Sequence, residues 1–342
     1  MSMQPQPDAL AVLIPIYDDW DAVAMLLPRL DESLHAAHLG ARVILVDDGS
    51  TTEAPAALSE LTLKAIERVE VLTLRRNLGH QRAIAIGLAF IAERMPVEAV
   101  VVMDGDGEDA PGDVPHLVAE MRNGHGARIV FAERRRRSES TTFRVLYHSY
   151  RWAHRALTGI PVRVGNFSVI PATQLRRLVS VSELWNHYAA AVFKARLPRV
   201  LVPTTRATRL QGRSRMNFVS LVGHGLSALS VHAEIIGVRM LCLAAILTVL
   251  VGALLGVVVG LKLWTTLAIP GWATNAVGLL VVVLLQTLAF AVLFVFLVLH
   301  ARSHPSFLLI RDYEYFVSGT VRVFPAARAT ALPVRPPREM VE

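Results

Sequence analysis

The sequence predicts an α/β fold built on a doubly wound, mostly parallel sheet and followed by two C-terminal transmembrane helices. Three observations carry this. Strand-like and helix-like segments alternate four times within about the first 120 residues, the pattern of parallel strands joined by crossover helices. Three of the strand-like segments end in acids: Asp19, Asp48, and Asp104 with Asp106. Two long uncharged apolar runs occupy 240–261 and 276–299, each enough to cross a bilayer.

The elements follow in order. Residues 9–17 form an apolar strand, and Asp18, Asp19 and Asp21 surround the start of a helix reaching about residue 37, where acids complement the helix dipole. Residues 43–46 are a second buried strand, closed by Asp47-Asp48-Gly49-Ser50. Thr51 and Thr52 can cap a helix over 54–67, and a third strand covers 69–74. Arg75-Arg76-Asn77-Leu78-Gly79-His80 leads into a helix over 81–93. The fourth strand, Val100-Val101-Val102-Met103, stops in Asp104-Gly105-Asp106-Gly107-Glu108-Asp109. Carboxylates this close repel one another, and oxygen ligands on a turn suit Mg²⁺ or Mn²⁺ when a substrate diphosphate completes the shell. In open α/β sheets ligands bind beyond the carboxyl ends of the strands, so the acids mark the expected site. A short helix at 113–122 and a strand at 127–132 follow, then four arginines at 134–137. Residues 140–157 are helix-like, 165–170 turn into a strand, 172–195 are mostly helical, and 200–205 form a strand before a basic loop at 209–216. Residues 218–236 are amphipathic and suit a membrane surface.

Composition narrows the class. Hydrophobic residues make up 53% of 342 and the mean hydropathy is +0.43, too apolar for an ordinary soluble chain. The net charge of +7 is concentrated in arginine clusters, which suit anionic lipid or an anionic substrate. No nucleic-acid motif accompanies them, so no nucleic-acid partner is expected. No G-x-G-x-x-G opens a helix, which disfavours a dinucleotide fold. The single cysteine, Cys242, excludes an intrachain disulfide. The polar start of the chain lacks a basic n-region and an apolar core, so no signal peptide is expected there. Arginines flank the two apolar runs on the outside while the loop between them carries only Lys262, so both flanks and both termini are expected in the cytoplasm. Trp264 and Trp272 then fit the opposite interface, and Gly252, Gly256 and Gly260 on one face permit homo-oligomer packing.

Ile14-Pro15-Ile16-Tyr17, Val46-Asp47-Asp48-Gly49-Ser50, Asn77-Leu78-Gly79-His80, Met103-Asp104-Gly105-Asp106 and Gly212-Arg213-Ser214-Arg215-Met216 together resemble family 2 glycosyltransferases of the GT-A fold. Within that family the chain is similar to polyprenyl-phosphate glycosyltransferases such as dolichol-phosphate mannose synthase and bacterial undecaprenyl-phosphate glucosyltransferases. The resemblance covers about 9–300. It implies a metal-dependent, inverting hexosyltransferase of the inner membrane, multi-pass, that moves sugar from an NDP-sugar to a polyprenyl phosphate for the cell envelope. Catalysis would rest on Asp104, Asp106 and Arg134. Pro15, Tyr17, Asp19, Asp48, Asp104 and Gly105 would bind the donor nucleotide. Arg134, Arg144, Arg209 and Arg215 would bind the acceptor or phosphates, and Asp106 with Glu108 would hold Mg²⁺ or Mn²⁺. The implied organisation is a catalytic domain at 1–216, a juxtamembrane helix at 217–239, a hairpin at 240–299 and a tail at 300–342, disordered from about 326.

The chain departs from the family at two places. The usual D-A-D-L-Q is here Asp104-Gly105-Asp106-Gly107-Glu108, and the G-D-F-R of many glucosyltransferases is Gly165-Asn166-Phe167-Ser168, which leaves the sugar open. A receiver-like phospho-acceptor module is disfavoured, since residues 1–235 hold only Lys64 and Lys194, neither at a strand end. A nucleotide-sugar-binding scaffold without turnover and a transferase with another lipid acceptor are the remaining alternatives.

Overall fold

The computed structural model describes residues 9–134, 155, 157–158, 164–205, 207–211, 218–265, 271–303 and 307–325. It divides into two units, one comprising 1–144, 163–231 and 306–342, the other 145–162 and 232–305.

The first unit is organised by strands β1 (Leu10–Ile16), β2 (Ala41–Asp47), β3 (Ile66–Leu74), β4 (Ala99–Val102), β5 (Ile129–Arg134), β6 (Ser168–Pro171), β7 (Arg199–Thr204) and β8 (Val317–Phe324). Their order in one sheet is β7-β5-β6-β4-β1-β2-β3-β8. β1 pairs in parallel with β2 and β4, β2 with β3, and β5 with β7. Only β6 and β8 run the other way. The expected doubly wound, mostly parallel sheet is therefore present.

Helices α1 (Trp20–Ala36), α2 (His80–Arg94), α3 (Val114–Asn123), α4 (Ala172–Leu178) and α5 (Tyr188–Lys194) supply the crossover layers. Strand side chains alternate between faces. Leu10, Val12 and Ile14 of β1 join Val23, Leu26, Leu30, Leu117 and Val118 of α1 and α3 in one core. Ala11 and Leu13 join Ile84, Leu88, Ile91, Leu175 and Tyr188 in the other. Both faces of the central strands are buried, which is why β1, β2 and β4 read as continuous apolar runs.

Two sequence expectations change. The helix over 54–67 is reduced to one 3₁₀ turn, Ala56–Glu60. The cause is Asp31 on α1, whose Oδ1 accepts the N–H groups of Lys64 (3.0 Å), Ala65 (2.8 Å) and Ile66 (2.8 Å). Those bonds pull the chain extended into β3, which starts three residues earlier than expected, at Ile66. The sheet also does not end before the hairpin. Residues that the sequence reading left in a tail form α9 (Leu309–Asp312) and β8. Here the Trp185 ring packs on Phe307 at 4.5 Å and Phe316 at 4.9 Å, and Tyr313 Oη donates to Glu93 Oε2 on α2 at 3.1 Å. α6 (Phe218–Ser230) covers the first part of the expected juxtamembrane helix. The expected helix at 140–157 lies almost wholly outside the described residues, as do the expected disordered stretch from 326, Arg144 and Arg215.

The second unit contains α7 (Ala233–Trp264) and α8 (Trp272–Ser303), both long and apolar enough to cross a membrane. They pack as an antiparallel hairpin. Thr248 Oγ1 donates to Thr287 Oγ1 at 3.1 Å, and Gly237 leaves room for Val298. A Cβ at Gly252 or Gly256 would meet no atom within 4 Å, so those two glycines do not serve this helix pair.

Candidate active site at the carboxyl edge of the sheet

The register of the sheet gathers the candidate residues on one edge. Ile16 pairs with Asp47 and Leu13 with Val102, so the segments after β1, β2 and β4 emerge side by side. β6 is antiparallel, and its first residue, Ser168, pairs with Val102, which brings Asn166 to the same edge. Arg134 ends β5 opposite Thr204 of β7, which sets both Arg134 and the 207–211 segment there.

Each letter of Asp47-Asp48-Gly49-Ser50 has a local task. Asp47 Oδ1 accepts the Ser50 N–H at 2.8 Å and closes the turn. Both Asp48 oxygens are used, by the N–H groups of Leu78 (2.7 Å) and Gly79 (2.8 Å). Gly49 has φ +74°, and a Cβ there would stand 2.7 Å from the Asn77 nitrogen, so only glycine lets the two loops meet. Ser50 Oγ accepts from the Asp18 N–H at 2.9 Å, and Asp18 Oδ1 accepts the Thr51 N–H at 2.7 Å. Burial pushes the Asp48 carboxyl up against the opposing pull of its two backbone bonds. Asp48 thus holds the Asn77–His80 loop, a role the sequence reading did not give it. Pro15 is enclosed within β1, whereas Tyr17 is 37% exposed and Asp19 opens α1.

The acidic turn after β4 is folded around its own backbone. Asp109, buried, accepts the Asp104 N–H at 2.9 Å. Asp106 Oδ1 accepts the Glu108 N–H at 2.9 Å. Gly105 lies under Ile14 and Val23, 3.2 and 3.3 Å from where a Cβ would be. The 207–210 segment zips onto this turn: the Ala207 N–H donates to the Glu108 carbonyl at 3.0 Å and the Leu210 N–H to the Asp106 carbonyl at 2.9 Å. Gly107, at φ +80°, leaves the space that Leu210 fills. Arg209 Nη2 consequently donates to Asp106 Oδ2 at 2.6 Å, with its Nε 4.0 Å from Glu108 Oε1. Burial pushes the Asp106 carboxyl up, helped by the Asp104 and Glu108 charges, and the Glu108 N–H and, more weakly, Arg209 oppose them only in part.

The donor set of Asp104, Asp106 and Glu108 is oxygen-only and over-charged, which fits a hard divalent cation. Among the described residues no three potential ligands converge on one point, so phosphate oxygens of a substrate would have to complete the shell.

Sequence reasoning missed His80, which touches Asp104, and the two residues linked behind it, Asn166 and Gln81. His80 Nε2, on a ring 43% exposed, stands 3.2 Å from Asp104 Oδ1. The same nitrogen is 3.0 Å from Asn166 Nδ2, and Gln81 Nε2 donates to Asn166 Oδ1 at 3.1 Å. Desolvation on the covered side of the ring draws the His80 pKa down, but the carboxylate of Asp104, with Asp48 and Asp106 behind it, leaves it raised overall. The sequence signals were the place of His80 in Asn77-Leu78-Gly79-His80 at a helix start and the departure at Asn166.

Of the residues expected from sequence, the structure brings together Asp104, Gly105, Asp106, Glu108 and Arg209. The backbone of Arg134 lies on the same edge.

A model for glycosyl transferase family 2 matches residues 11–183. The undecaprenyl-phosphate 4-deoxy-4-formamido-L-arabinose transferase of Klebsiella pneumoniae is 27% identical over 140 residues, 41% of either chain, and that of Proteus mirabilis 29% over the same span. The chain thus matches about two fifths of the length of these curated relatives. An uncharacterized glycosyltransferase of Synechocystis is 24% identical over 225 residues, 64% of this chain and 68% of that one. Among solved structures, glucosyl-3-phosphoglycerate synthase from Mycobacterium tuberculosis, crystallised with Mn²⁺, UDP-glucose and phosphoglyceric acid, is 17% identical. It covers 67% of this chain and 80% of its own, with a TM-score of 0.46.

Proposed function

The chain belongs to glycosyl transferase family 2, and from that premise we propose that it is a membrane-bound, inverting hexosyltransferase that moves a sugar from an NDP-sugar to a polyprenyl phosphate. The observation that carries this reading is the meeting of the Asp104–Glu108 turn with Arg209 at the carboxyl edge of the sheet. Such a site can hold a diphosphate by its acids, through a divalent cation, and by its guanidinium directly. The names of the relatives support undecaprenyl phosphate as the acceptor.

The chemistry follows from charge. Asp106 and Glu108, with Asp104 alongside, would hold Mg²⁺ or Mn²⁺, which when bound offsets the charge developing on the leaving nucleoside diphosphate. A lipid monophosphate oxygen is already anionic at neutral pH and needs little help from a base. It does need cations to approach a second anion, and Arg offers paired N–H groups for that. Arg209 sits where it can pass from Asp106 to a phosphate, and Arg134, Arg144 and Arg215 complete the basic wall in this reading. Tyr17, Asp19, Asp104 and Gly105 would border the nucleotide, with Pro15 beneath and Asp48 bracing the loop. Direct attack opposite the leaving group inverts the anomeric carbon.

Connectivity supports a membrane hairpin with both ends on one side. β7 precedes α7 and α8 in the chain and β8 follows them, yet both strands lie in one sheet. Two crossings satisfy this, and one would not. The arginine-rich flanks favour the cytoplasmic side. In a Cys242→Ser background, Thr274→Cys is expected to react with an impermeant maleimide on intact cells and Ser140→Cys is not. Labelling at 140 alone would reverse the orientation.

The activity is tested by transfer of radiolabel from UDP- and GDP-sugars to undecaprenyl phosphate in detergent. Arg209→Ala is expected to lower kcat/KM for the lipid roughly 30- to 1,000-fold, as befits a contact at the reacting phosphates. Arg209→Lys should recover only part of that, since a point charge replaces a fork. Wild-type rates in both variants would remove Arg209 from the reacting centre.

A further inference from the structure

The hydrogen-bond chain behind Asp104 has only one consistent assignment. It starts at the Tyr188 backbone N–H, which can only donate and does so to Gln81 Oε1 at 2.8 Å. Gln81 is buried, so its amide is fixed by that bond, and its Nε2 must face Asn166 Oδ1. Asn166 is fixed in turn, with its Nδ2 toward His80 Nε2. An amide nitrogen has no acceptor capacity, so His80 Nε2 must accept. Yet Asp104 Oδ1 stands 3.2 Å from that same nitrogen, and a carboxylate there asks it to donate. A single ring nitrogen cannot do both.

A hydroxyl group resolves the conflict, because it donates one hydrogen and accepts others. Placed at this junction, it donates to Asp104 Oδ1 and accepts from Asn166 Nδ2 or from the His80 ring. A bare cation would satisfy Asp104 but leave the Asn166 amide and the histidine unread. We propose that His80 and Asn166, with Asp104, form the subsite that reads a hydroxyl of the donor sugar, and that the Gln81–Tyr188 bond sets its polarity. This rests on the proposed NDP-sugar donor and adds the residues that select the sugar. An acid at position 166 would offer only acceptors, so Asn166→Asp should favour a different hydroxyl arrangement.

The test uses the full-length protein in detergent. Calorimetry measures affinity for UDP and GDP, and for UDP-glucose, UDP-galactose, UDP-N-acetylglucosamine, GDP-mannose and deoxy analogues of whichever donor binds. His80→Ala and Asn166→Ala are each expected to weaken that donor about tenfold, the equivalent of one lost hydrogen bond, and the free nucleoside diphosphate less than twofold. One deoxy position should cost the wild type about tenfold and the Asn166→Ala protein nothing further. Asn166→Asp should reorder the sugar panel. The subsite is overturned if the Ala variants bind the donor like wild type, if they lose the diphosphate equally, as a merely structural role requires, or if every deoxy analogue behaves alike in both proteins. Donor binding without any transfer to a polyprenyl phosphate would instead overturn the acceptor reading and leave the subsite result standing. A wild type that binds none of the nucleotide sugars overturns both.

Discussion

Asp106→Asn is expected to reduce sugar transfer by at least about a thousandfold, the scale of losing a principal electrostatic contact at a reacting diphosphate. Asparagine preserves size, and its Oδ1 still accepts the Glu108 N–H that shapes the turn. What it removes is charge, and charge is what the site concentrates. Asp106 lies beside Asp104 and Glu108, and together with its burial they already raise its pKa. Losing the anion lowers affinity for a divalent ion and sets an amide N–H₂ against the Arg209 guanidinium, 2.6 Å away in the parent. Relief of the repulsion from Asp104 and Glu108 offsets the lost Arg209 contact, so the melting temperature should change little while transfer collapses, and excess EDTA should silence the parent protein in the same assay. Transfer within tenfold of the parent in the variant, or full activity in EDTA, would remove the metal from the mechanism.

The largest loss of stability is expected at Asp31, far from the site in sequence and in role. Its carboxylate lies under α1 with four short contacts to three successive N–H groups, those of Lys64, Ala65 and Ile66. Asp31→Ala leaves these donors without acceptors at the entry of β3, and Ala65 and Ile66 are buried. An unsatisfied buried donor costs about 1–3 kcal/mol, so the variant should lose about 3–5 kcal/mol, a large part of the stability of a typical domain. Asp31→Asn keeps Oδ1, which carries three of the four contacts, and should lose only about 1–2 kcal/mol. Urea titration of the solubilised protein reads the difference. An Ala variant within about 1 kcal/mol of the parent would mean that water replaces the carboxylate, and that β3 is not held by it.

Asp31 also shows why one element was illegible. Over 54–67 the local composition permits a helix, and nothing within that stretch announces a carboxylate more than 30 positions upstream. The sequence offered no element at 317–324 for a similar reason. Val317–Phe324 is a short mixed strand behind two long apolar helices, and it gains its partner, β3, only by pairing across some 250 residues. Local periodicity carries no record of such a partner.

The candidate site divides along the same line. Asp104, Asp106 and Glu108 were legible because they end an apolar run, and a buried strand that stops in acids has its physics written in consecutive residues. His80 and Asn166 were not, although both sit in stretches already singled out.

By itself the sequence determined the alternation of strands and helices from 9 to 134 except the helix over 54–67, the edge on which the acids emerge, and the two apolar spans. Each depends on side-chain periodicity or run length over fewer than about 30 residues, and burial acts on those patterns wherever the chain goes. Tertiary structure alone decided that Arg209 lies on Asp106, 103 positions away, and that Asn166 lies between His80 and Gln81, 86 and 85 positions away. It also decided that β8 closes the sheet after the hairpin. These are contacts between side chains and edges that become neighbours only once the sheet order is set, and sheet order comes from long-range pairing, which no local stretch of sequence encodes.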